Sequence, residues 1–226
     1  MSKRGQGVLD LAADKARALK LTPVSRETEQ RLDVFVDVLL LWQKTTNLVA
    51  SSTLPRLWTR HVADSLQLIP LAPAVRVWVD LGSGGGFPGM PIACALGGTP
   101  GAKVHLVESY GKKAAFLREA VRVTGAPAQV HQVRAENFAK SCAEPAQVVT
   151  ARALAPLKFL CDQAFPWIAR GAIGLFPKGQ DVDAELTEAA KYWSIEASQV
   201  PSKTSPEGCI VVIRGLHRRG SSGARP

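Results

Sequence analysis

The feature that most constrains the fold is a glycine-rich segment that directly follows an apolar run. Valines alternate at positions 75, 77 and 79, as expected of a buried strand. Asp80 ends the run, glycines fill four of the five positions from 82 to 86, and Pro88 stands where the first turn of a helix would begin. This order of strand, glycine turn and helix is typical of α/β sheets that bind a ligand at the carboxyl ends of their strands.

Strands and helices alternate along the chain after this segment. Further strands are predicted at 103–108, 129–133, 147–150, 172–176 and 208–214, and helices at 88–96, 112–124, 156–169 and 181–193. The pattern predicts an α/β fold with a doubly wound, mainly parallel, Rossmann-like sheet covered by helices on both faces. Four loops should meet at the ligand edge, at 82–89, 108–112, 134–138 and 150–156.

The chain divides into three predicted parts. Residues 1–73 are predicted to form a helical extension packed on the catalytic domain, with helices near 7–21, 26–44 and 57–66. The first of these helices should turn Leu11, Ala12 and Leu19 inward, and Ser25 should cap the second. Residues 74–214 are predicted to form the Rossmann-like domain. The basic, glycine- and serine-rich tail at 215–226 is predicted to be disordered.

Composition excludes some classes of protein and favours others. No stretch approaches the roughly 20 apolar residues of a membrane span, and charged residues interrupt any signal-peptide core at the N-terminus. We therefore expect a cytoplasmic protein with reduced thiols, without a membrane partner. A net charge of +9 indicates a polyanionic partner. His61 and Asp64 lack a third metal ligand, so no metal site is predicted, and we expect a structural or substrate-side pair that caps the cofactor pocket.

The glycine turn admits more than one nucleotide ligand. A Walker A loop is excluded because no lysine follows Gly89. Gly84, Gly86 and Gly89 match a dinucleotide fingerprint, and Glu108 lies where a ribose-binding acid would be expected. A nicotinamide-dependent oxidoreductase is therefore one alternative, although the chain has no Tyr-x-x-x-Lys pair and little length for a second domain.

S-adenosylmethionine is the ligand that the segment favours. Asp80, Gly82, Gly84 and Gly86 fit the pattern Asp-x-Gly-x-Gly-x-Gly, which S-adenosylmethionine sites resemble. Glu108 ends the second strand, where its carboxylate would accept hydrogen bonds from both ribose hydroxyls. A methyltransferase that acts on a small molecule remains a further alternative.

A series of motifs extends the pattern over residues 25–214. They are Trp42 with Asn47-Leu48, Arg60 to Ser65, Gly82 to Gly89 with its Phe-Pro-Gly ending, Glu108-Ser109, Lys112-Lys113, Phe116-Leu117, Arg134 to Glu136, Thr150 to Ala153 and Lys178 to Gln180. In order and spacing they resemble the bacterial 16S rRNA guanine-N7 methyltransferase family (RsmG), once called glucose-inhibited division protein B. The resemblance implies S-adenosylmethionine as cofactor and position 527 of 16S rRNA as target. We expect a monomer that acts on 16S rRNA or the 30S subunit and not on DNA.

The resemblance also implies a set of site residues. Cofactor contacts are implied at Gly82, at Phe87, at Ala135-Glu136 beside the adenine, and at Arg152 next to the transferred methyl group. With the residues of the glycine turn and the ribose acid, the predicted cofactor site consists of Asp80, Gly82, Ser83, Gly84, Phe87, Glu108, Ala135, Glu136 and Arg152. A surface ion pair is the ordinary alternative for Arg152.

The chemistry follows partly from motifs that the sequence lacks. No Asp/Asn-Pro-Pro-aromatic motif of the exocyclic-amine enzymes follows the fourth strand, and no Pro-Cys nucleophile is present. Guanine N7 has an in-plane lone pair and no proton, so its methylation needs alignment and no general base. Arg152 and Lys178 are predicted to position the reactants. A 2′-hydroxyl target stays open, because Lys178 could belong to another acid–base set.

Basic side chains near the ligand edge are candidates for phosphate contacts. The predicted RNA-binding residues are Arg60, His61, Lys112, Lys113, Arg134 and Lys178. Lys112 and Lys113 could equally form a solvated helix face.

Overall fold

A computed structural model describes residues 4–219 of the chain, with side chains from residue 11 onward. The strands are β1 (Val77–Leu81), β2 (Lys103–Val107), β3 (Ala128–His131), β4 (Val148–Thr150), β5 (Ile173–Lys178), β6 (Trp193–Pro201) and β7 (Cys209–Arg218). The helices are α1 (Arg4–Leu21), α2 (Arg26–Gln43), α3 (Asp64–Leu66), α4 (Gly89–Ala95), α5 (Gly111–Thr124), α6 (Ala135–Ser141), α7 (Leu157–Ile168) and α8 (Val182–Ala190). A 3-10 helix (Ser51–Arg56) and a π-helical segment (Trp58–Ala63) precede α3, and a short 3-10 helix (Ile69–Leu71) follows it.

The seven strands form one sheet in the order β3-β2-β1-β4-β5-β7-β6. The five strands from β3 to β5 are parallel, and β7 and β6 are antiparallel to their neighbours. The predicted doubly wound, mainly parallel sheet is confirmed. Because the chain order reverses between β1 and β4, the carboxyl ends of these two strands form the switch point at which such sheets bind ligands.

The end of the sheet differs from the prediction. The helix predicted to reach residue 193 ends at Ala190, and Trp193 begins the strand β6, which the sequence reading missed. This strand lies at the edge of the sheet, so most of its side chains are exposed and its sequence lacks a clear apolar alternation.

The predicted boundary of the tail is also wrong. Strand β7 continues to Arg218, which pairs with Trp193, so residues 215–218 belong to the sheet. The amide of Arg219 donates to the carbonyl of Tyr192 at 2.9 Å. The other residues of the predicted tail, 220–226, lie outside the described residues.

The helical extension and the sheet share one apolar cluster. Phe35 and Leu39 of α2 and Trp58 of the π-helical segment are fully buried in the same cluster as Trp78 of β1. Ser25 caps α2 as predicted, since its hydroxyl accepts a hydrogen bond from the amide of Thr28. We propose that residues 1–73 form an extension without a separate core.

The inward face predicted for α1 is partly wrong. Ala12 is exposed and Leu11 and Leu19 are half-buried, whereas Asp14 and Ala18 are buried. The carboxylate of Asp14 accepts a hydrogen bond from the amide of Thr59 at 3.0 Å. The helix therefore turns a polar side chain inward, because the start of the π-helical segment presents a free donor there.

Candidate active site

The glycine turn is held from behind by Asp80. Its Oδ2 accepts a hydrogen bond from the amide of Gly89 at 3.1 Å, and its Oδ1 accepts one from the hydroxyl of Thr150 at 3.1 Å. Burial raises the pKa of this carboxyl to about 6, although hydrogen bonds from Ser83, Thr150 and Gly89 oppose the shift. The carboxyl thereby joins the start of α4 to β1 and β4.

The turn itself needs glycine at positions of positive φ. Gly82, Gly84 and Gly86 have φ of 66°, 53° and 87°. A Cβ on Gly82 would also come within 2.5 Å of the Leu154 side chain. Because these glycines have no side chains, the backbone of the turn stays accessible to a ligand.

Two residues predicted to bind the cofactor lie behind this turn. Asp80 and Ser83 are each 1% exposed, and the Ser83 hydroxyl donates to the carbonyl of Asp80 at 3.0 Å. Neither lines either of the two cavities described below, and both shape the turn. Their contact with the cofactor stays a prediction.

A first cavity of about 360 Å³ opens in front of the turn, at the carboxyl ends of β1 and β2. Residues of all four predicted loops meet there. Its lining comprises Gly82, Gly84, Val107, Glu108, Ser109, Lys113, Val133, Arg134, Ala135, Glu136, Ala153, Leu154 and Gln163. Five of the predicted cofactor residues are thereby brought together, namely Gly82, Gly84, Glu108, Ala135 and Glu136.

Glu108 is oriented by two backbone amides. Its Oε2 accepts a hydrogen bond from Gly84 at 2.9 Å and its Oε1 accepts one from Tyr110 at 2.7 Å. Each carboxylate oxygen keeps a further lone pair, so the group can accept two hydroxyl donors in a fixed direction. A diol such as ribose fits this carboxylate, and the glycine backbone beside it leaves room for an amino-acid moiety.

Phe87, His61 and Arg152 form a stack, and its arginine lines the second of two cavities, described below. The Phe87 ring lies 4.9 Å from the His61 ring and 5.2 Å from the Arg152 guanidinium carbon. Phe87 is 4% exposed and lines neither cavity. The ring packs against the arginine, and the cofactor contact of Phe87 stays a prediction.

His61 is an acceptor for Arg152. Nη2 of Arg152 donates to Nδ1 of His61 at 2.6 Å, so the ring proton lies on Nε2, which is 2.8 Å from the hydroxyl of Thr53. Burial and the neighbouring charges of Arg152 and Arg60 lower the pKa of His61 to about 3. The ring is neutral at physiological pH.

The predicted RNA-binding residues lie in different places. His61 is buried and accepts a hydrogen bond from Arg152, so any part it has in RNA binding would act through that arginine. Lys113 and Arg134 line the first cavity with the cofactor residues. Lys112 is exposed and lines neither cavity. Arg60 lines the second cavity with Lys178.

This second cavity, of about 680 Å³, adjoins the first along a wall formed by Ala153 and Leu154. It contains both residues predicted to position the reactants. Its lining comprises Arg60, Asp64, Arg152, Ala153, Leu154, Ala155, Pro156, Pro177, Lys178, Gly179, Gln180, Glu185, Ser202, Ser205, Glu207, Gly208 and Cys209.

The sequence reading missed Glu185 and the β6–β7 loop (202–208) in this cavity. Asp64 and His61, expected to form a structural or substrate-side pair, both contact Arg152. Oδ2 of Asp64 is 3.4 Å from Arg152 Nη1, and its Oδ1 accepts the Thr204 hydroxyl proton at 2.6 Å. Asp64 therefore links Arg152 to the β6–β7 loop. Only the missed strand β6 would have indicated that this loop reaches the site.

Comparisons with known proteins decide the family. The family described as rRNA small subunit methyltransferase G matches residues 28–211. The chain belongs to this family. A relative from Bradyrhizobium sp. strain BTAi1, named ribosomal RNA small subunit methyltransferase G, is 61% identical over 92% of this chain and 94% of its own. One of the same name from Rhodopseudomonas palustris strain HaA2 is 56% identical over 95% of this chain and 91% of its own.

Solved structures agree on the fold of this member of the methyltransferase G family. Cofactor-bound Rv0187 from MTB matches with a TM-score of 0.57 at 14% identity, over 91% of this chain and 97% of that chain. An O-methyltransferase structure from Klebsiella pneumoniae matches with a TM-score of 0.54 at 12% identity, over 92% of this chain and 98% of that chain.

Membership in this family decides between S-adenosylmethionine and a nicotinamide cofactor as the ligand of the glycine turn. A methyltransferase uses S-adenosylmethionine, and the carboxylate of Glu108 beside the open backbone of Gly82 and Gly84 fits that cofactor. The nicotinamide alternative is thereby rejected. Within residues 11–219 no three His, Cys, Asp or Glu side chains are grouped to hold a metal ion. No helix in the described part of the chain is long and apolar enough to cross a membrane.

Proposed function

We propose that the protein transfers the methyl group of S-adenosylmethionine to N7 of a guanine in 16S rRNA, at position 527 as the family resemblance implies. The observation that carries this proposal is the pair of adjoining cavities. One has the fixed carboxylate of Glu108 for the cofactor, and the other has Arg152 and Lys178 in its wall. Ala153 and Leu154, shared by both, lie where the two ligands would meet.

The absence of a base at this junction supports N7 as the target atom. Among the described residues, the titratable side chains nearest Arg152 are His61, whose ring accepts the arginine proton, and the ion-paired Asp64. Guanine N7 attacks with its lone pair and loses no proton, so the site has only to align the reactants. We assign Arg152 and Lys178 as positioning residues for the base. The 2′-hydroxyl alternative stays the second candidate, because the carboxylates of Glu185 and Glu207 also line the second cavity.

Charge supports RNA as the substrate. Arg60 is exposed at the second cavity, and the whole chain carries a net charge of +9. Phosphate contacts by such groups release counterions and make binding depend on salt. A methyltransferase for a small neutral molecule would show little of this dependence. We propose a cytoplasmic monomer that acts on 16S rRNA, free or within the 30S subunit, and has no DNA or membrane partner.

Methyl transfer with site mapping tests this function. Tritiated S-adenosylmethionine is offered with 30S subunits or naked 16S rRNA from a strain without the modification, and the product RNA is cleaved with aniline at 7-methylguanine. We expect label on the RNA and one cleavage at position 527. RNA that already carries the modification is the control. Absence of label on both substrates, or label without cleavage, would contradict the proposal.

A further inference from the structure

We infer that the ion pair of Lys178 and Glu185 recognises the Watson–Crick edge of the target guanine in the second cavity. This inference rests on the proposed function. Nζ of Lys178 donates to Oε2 of Glu185 at 2.7 Å, and both residues line the cavity. The two side chains are 10% and 27% exposed, so this pair is largely withdrawn from water.

The Lys178 ammonium has one hydrogen-bonding position left for a ligand, and the Glu185 carboxylate has one whole oxygen left. The Lys178 ammonium has three N–H groups and uses two of them, on Glu185 and on the carbonyl of Ala155 at 3.1 Å. Oε2 of Glu185 also accepts the amide proton of Leu157 at 2.6 Å. Oε1 of Glu185 accepts no hydrogen bond from the part of the chain that the structure describes. The cavity wall therefore offers one donor beside one carboxylate oxygen.

This arrangement of donor and acceptor is complementary to guanine. Guanine presents the acceptor O6 beside the donors N1–H and N2–H₂, which match an ammonium followed by a carboxylate. Adenine presents the reverse order, with the donor N6–H₂ beside the acceptor N1. A site that leaves buried polar groups unpaired with the wrong base discriminates strongly against it.

The order of the strands places this pair on the correct side of the base. The first cavity lies at β1, Arg152 follows the neighbouring β4, and Lys178 ends β5, the next strand, with Glu185 on the helix that follows. Along the edge of guanine the atoms run N7, O6, N1 and N2. With N7 toward the cofactor cavity, O6 reaches Lys178 before N1 and N2 reach Glu185.

The carboxylate also contributes to the chemistry. The N7 lone pair forms the new bond to the methyl carbon, and the electron pair of the old carbon–sulfur bond stays on sulfur. The positive charge thereby moves to the guanine ring, and no proton is transferred. An anion that accepts N1–H and N2–H stabilises this charge as it develops, so Glu185 should affect kcat as well as binding.

Base analogues at the target position test the inference. RNA carrying guanine, inosine (without the N2 amino group) or 2-aminopurine (without O6 and without the N1 proton) is methylated by the wild type and by Glu185→Gln. We expect the wild type to lose on the order of tenfold or more in kcat/KM with either analogue, as one good base contact is worth about 1–3 kcal/mol. The glutamine oxygen should keep the bond from Leu157 and leave its amino group facing the guanine donors. Glu185→Gln should therefore be slow with guanine and lose its preference over inosine.

A second variant and a control separate recognition from folding. Lys178→Met should reduce the preference for guanine over 2-aminopurine without abolishing it, because Glu185 still accepts the N1 proton of guanine only. Glu188→Gln, a change on the same helix that lines neither cavity, should keep both preferences. The melting temperature and S-adenosylmethionine affinity of each variant show whether it folds. A wild type that methylates guanine and inosine equally, or a Glu185→Gln enzyme that keeps the preference, overturns the inference alone. If the wild type does not methylate the guanine RNA, the proposed function fails and the inference with it.

Discussion

Gly89 shows at the scale of one residue why the turn after β1 tolerates no side chain. A Cβ at this position would collide with the Leu106 side chain and lie 2.7 Å from Oδ2 of Asp80, the same atom that accepts the Gly89 amide proton. The neighbours are a buried strand residue and a fixed carboxylate, so neither can move away without breaking the contact between β1 and α4.

We therefore expect Gly89→Ala to lower the free energy of unfolding by about 1–3 kcal/mol, the usual cost of an added methyl group in a packed interior. Urea unfolding followed by circular dichroism measures it. Gly98→Ala is the matched control, because a Cβ there meets nothing within 4 Å. Equal stability of the two variants would show that the turn is not packed as described.

His61 leads to a second prediction at this scale. Since its Nδ1 accepts from Arg152 and its pKa is lowered to about 3 by burial and by the charges of Arg152 and Arg60, the ring should stay in the Nε2–H form from pH 5 to 8. Nitrogen-15 NMR of the imidazole reports the tautomer and the pKa directly. The exposed His217 serves as the internal comparison. A transition of the His61 signals near pH 6.5 would contradict the buried pairing.

At the scale of an element, the β6–β7 loop (202–208) forms one wall of the second cavity although it lies far along the chain from the glycine turn. Gln67 fixes it by accepting the amide proton of Lys203 at 2.8 Å, and Asp64 fixes it through the hydroxyl of Thr204. Both anchors come from the helical extension, so that extension builds the substrate side of the site.

Removing one anchor should loosen this loop. We expect Thr204→Val to raise the KM for the RNA several-fold, since the Asp64 hydrogen bond is lost, a change of about 1–2 kcal/mol. The affinity for S-adenosylmethionine should not change, because the first cavity has no residue from this loop. Steady-state kinetics and calorimetry measure the two effects. The control is Ser205→Ala. It removes a hydroxyl of the same loop that makes no side-chain hydrogen bond to the described residues. An equal KM for the two variants would show that Thr204 does not anchor the loop.

The elements also show which parts of the molecule the sequence could predict. Six of the seven strands, all but β6, and the four loops at the ligand edge followed from local pattern. For β1, β2, β4 and β5 the pattern is an apolar run, because these parallel strands are buried on both faces. The edge strand β6 has no such pattern, and its place beside β7 depends on long-range pairing. Glu185 could not be recognised for the same reason, since only the fold brings it to Lys178.

Seen as a whole, the molecule buries three of its four histidines to some degree. His105 Nδ1 lies 2.9 Å from His131 Nε2, and His105 Nε2 lies 3.0 Å from Glu144, which also pairs with Lys103 at 2.8 Å. Burial, with the charges of His105 and Lys103, lowers the pKa of His131 to about 4. Burial also lowers the pKa of His105, although Glu144 opposes this shift.

The free energy of unfolding should decrease as the pH is lowered below about 7. Between pH 6.5 and 4 the unfolded chain binds protons on histidines that His61 and His131 do not bind in the folded chain, so acid favours unfolding. Asp80 has a raised pKa of about 6, so between pH 6 and 3.8 its protonation favours the folded chain. This single group opposes the two histidines and is outweighed by them. Urea unfolding at pH 7.5, 6 and 5 measures the trend. His131→Gln should flatten it and His217→Gln should not; a stability that rises toward pH 5 would contradict the prediction.

The excess of positive charge predicts how the molecule binds RNA. The logarithm of the affinity for 16S rRNA should fall linearly with the logarithm of salt concentration, and Arg60→Gln should reduce the slope by about 1 because one phosphate contact is lost. Filter binding at several salt concentrations measures both slopes. Arg170→Gln is the control, since this exposed residue precedes β5 and so lies at the opposite edge of the sheet. Equal slopes for the two variants would place Arg60 outside the interface.

The wall between the two cavities is the feature with the most practical consequence. It is formed by two small aliphatic residues, Ala153 and Leu154, and one of them already faces the glycine turn. A synthetic compound that joins an adenosine to a purine through a short tether would need to pass only this wall to occupy both sides at once. Because the second half of such a compound binds at a high effective concentration, two weak fragments would combine into one tight inhibitor.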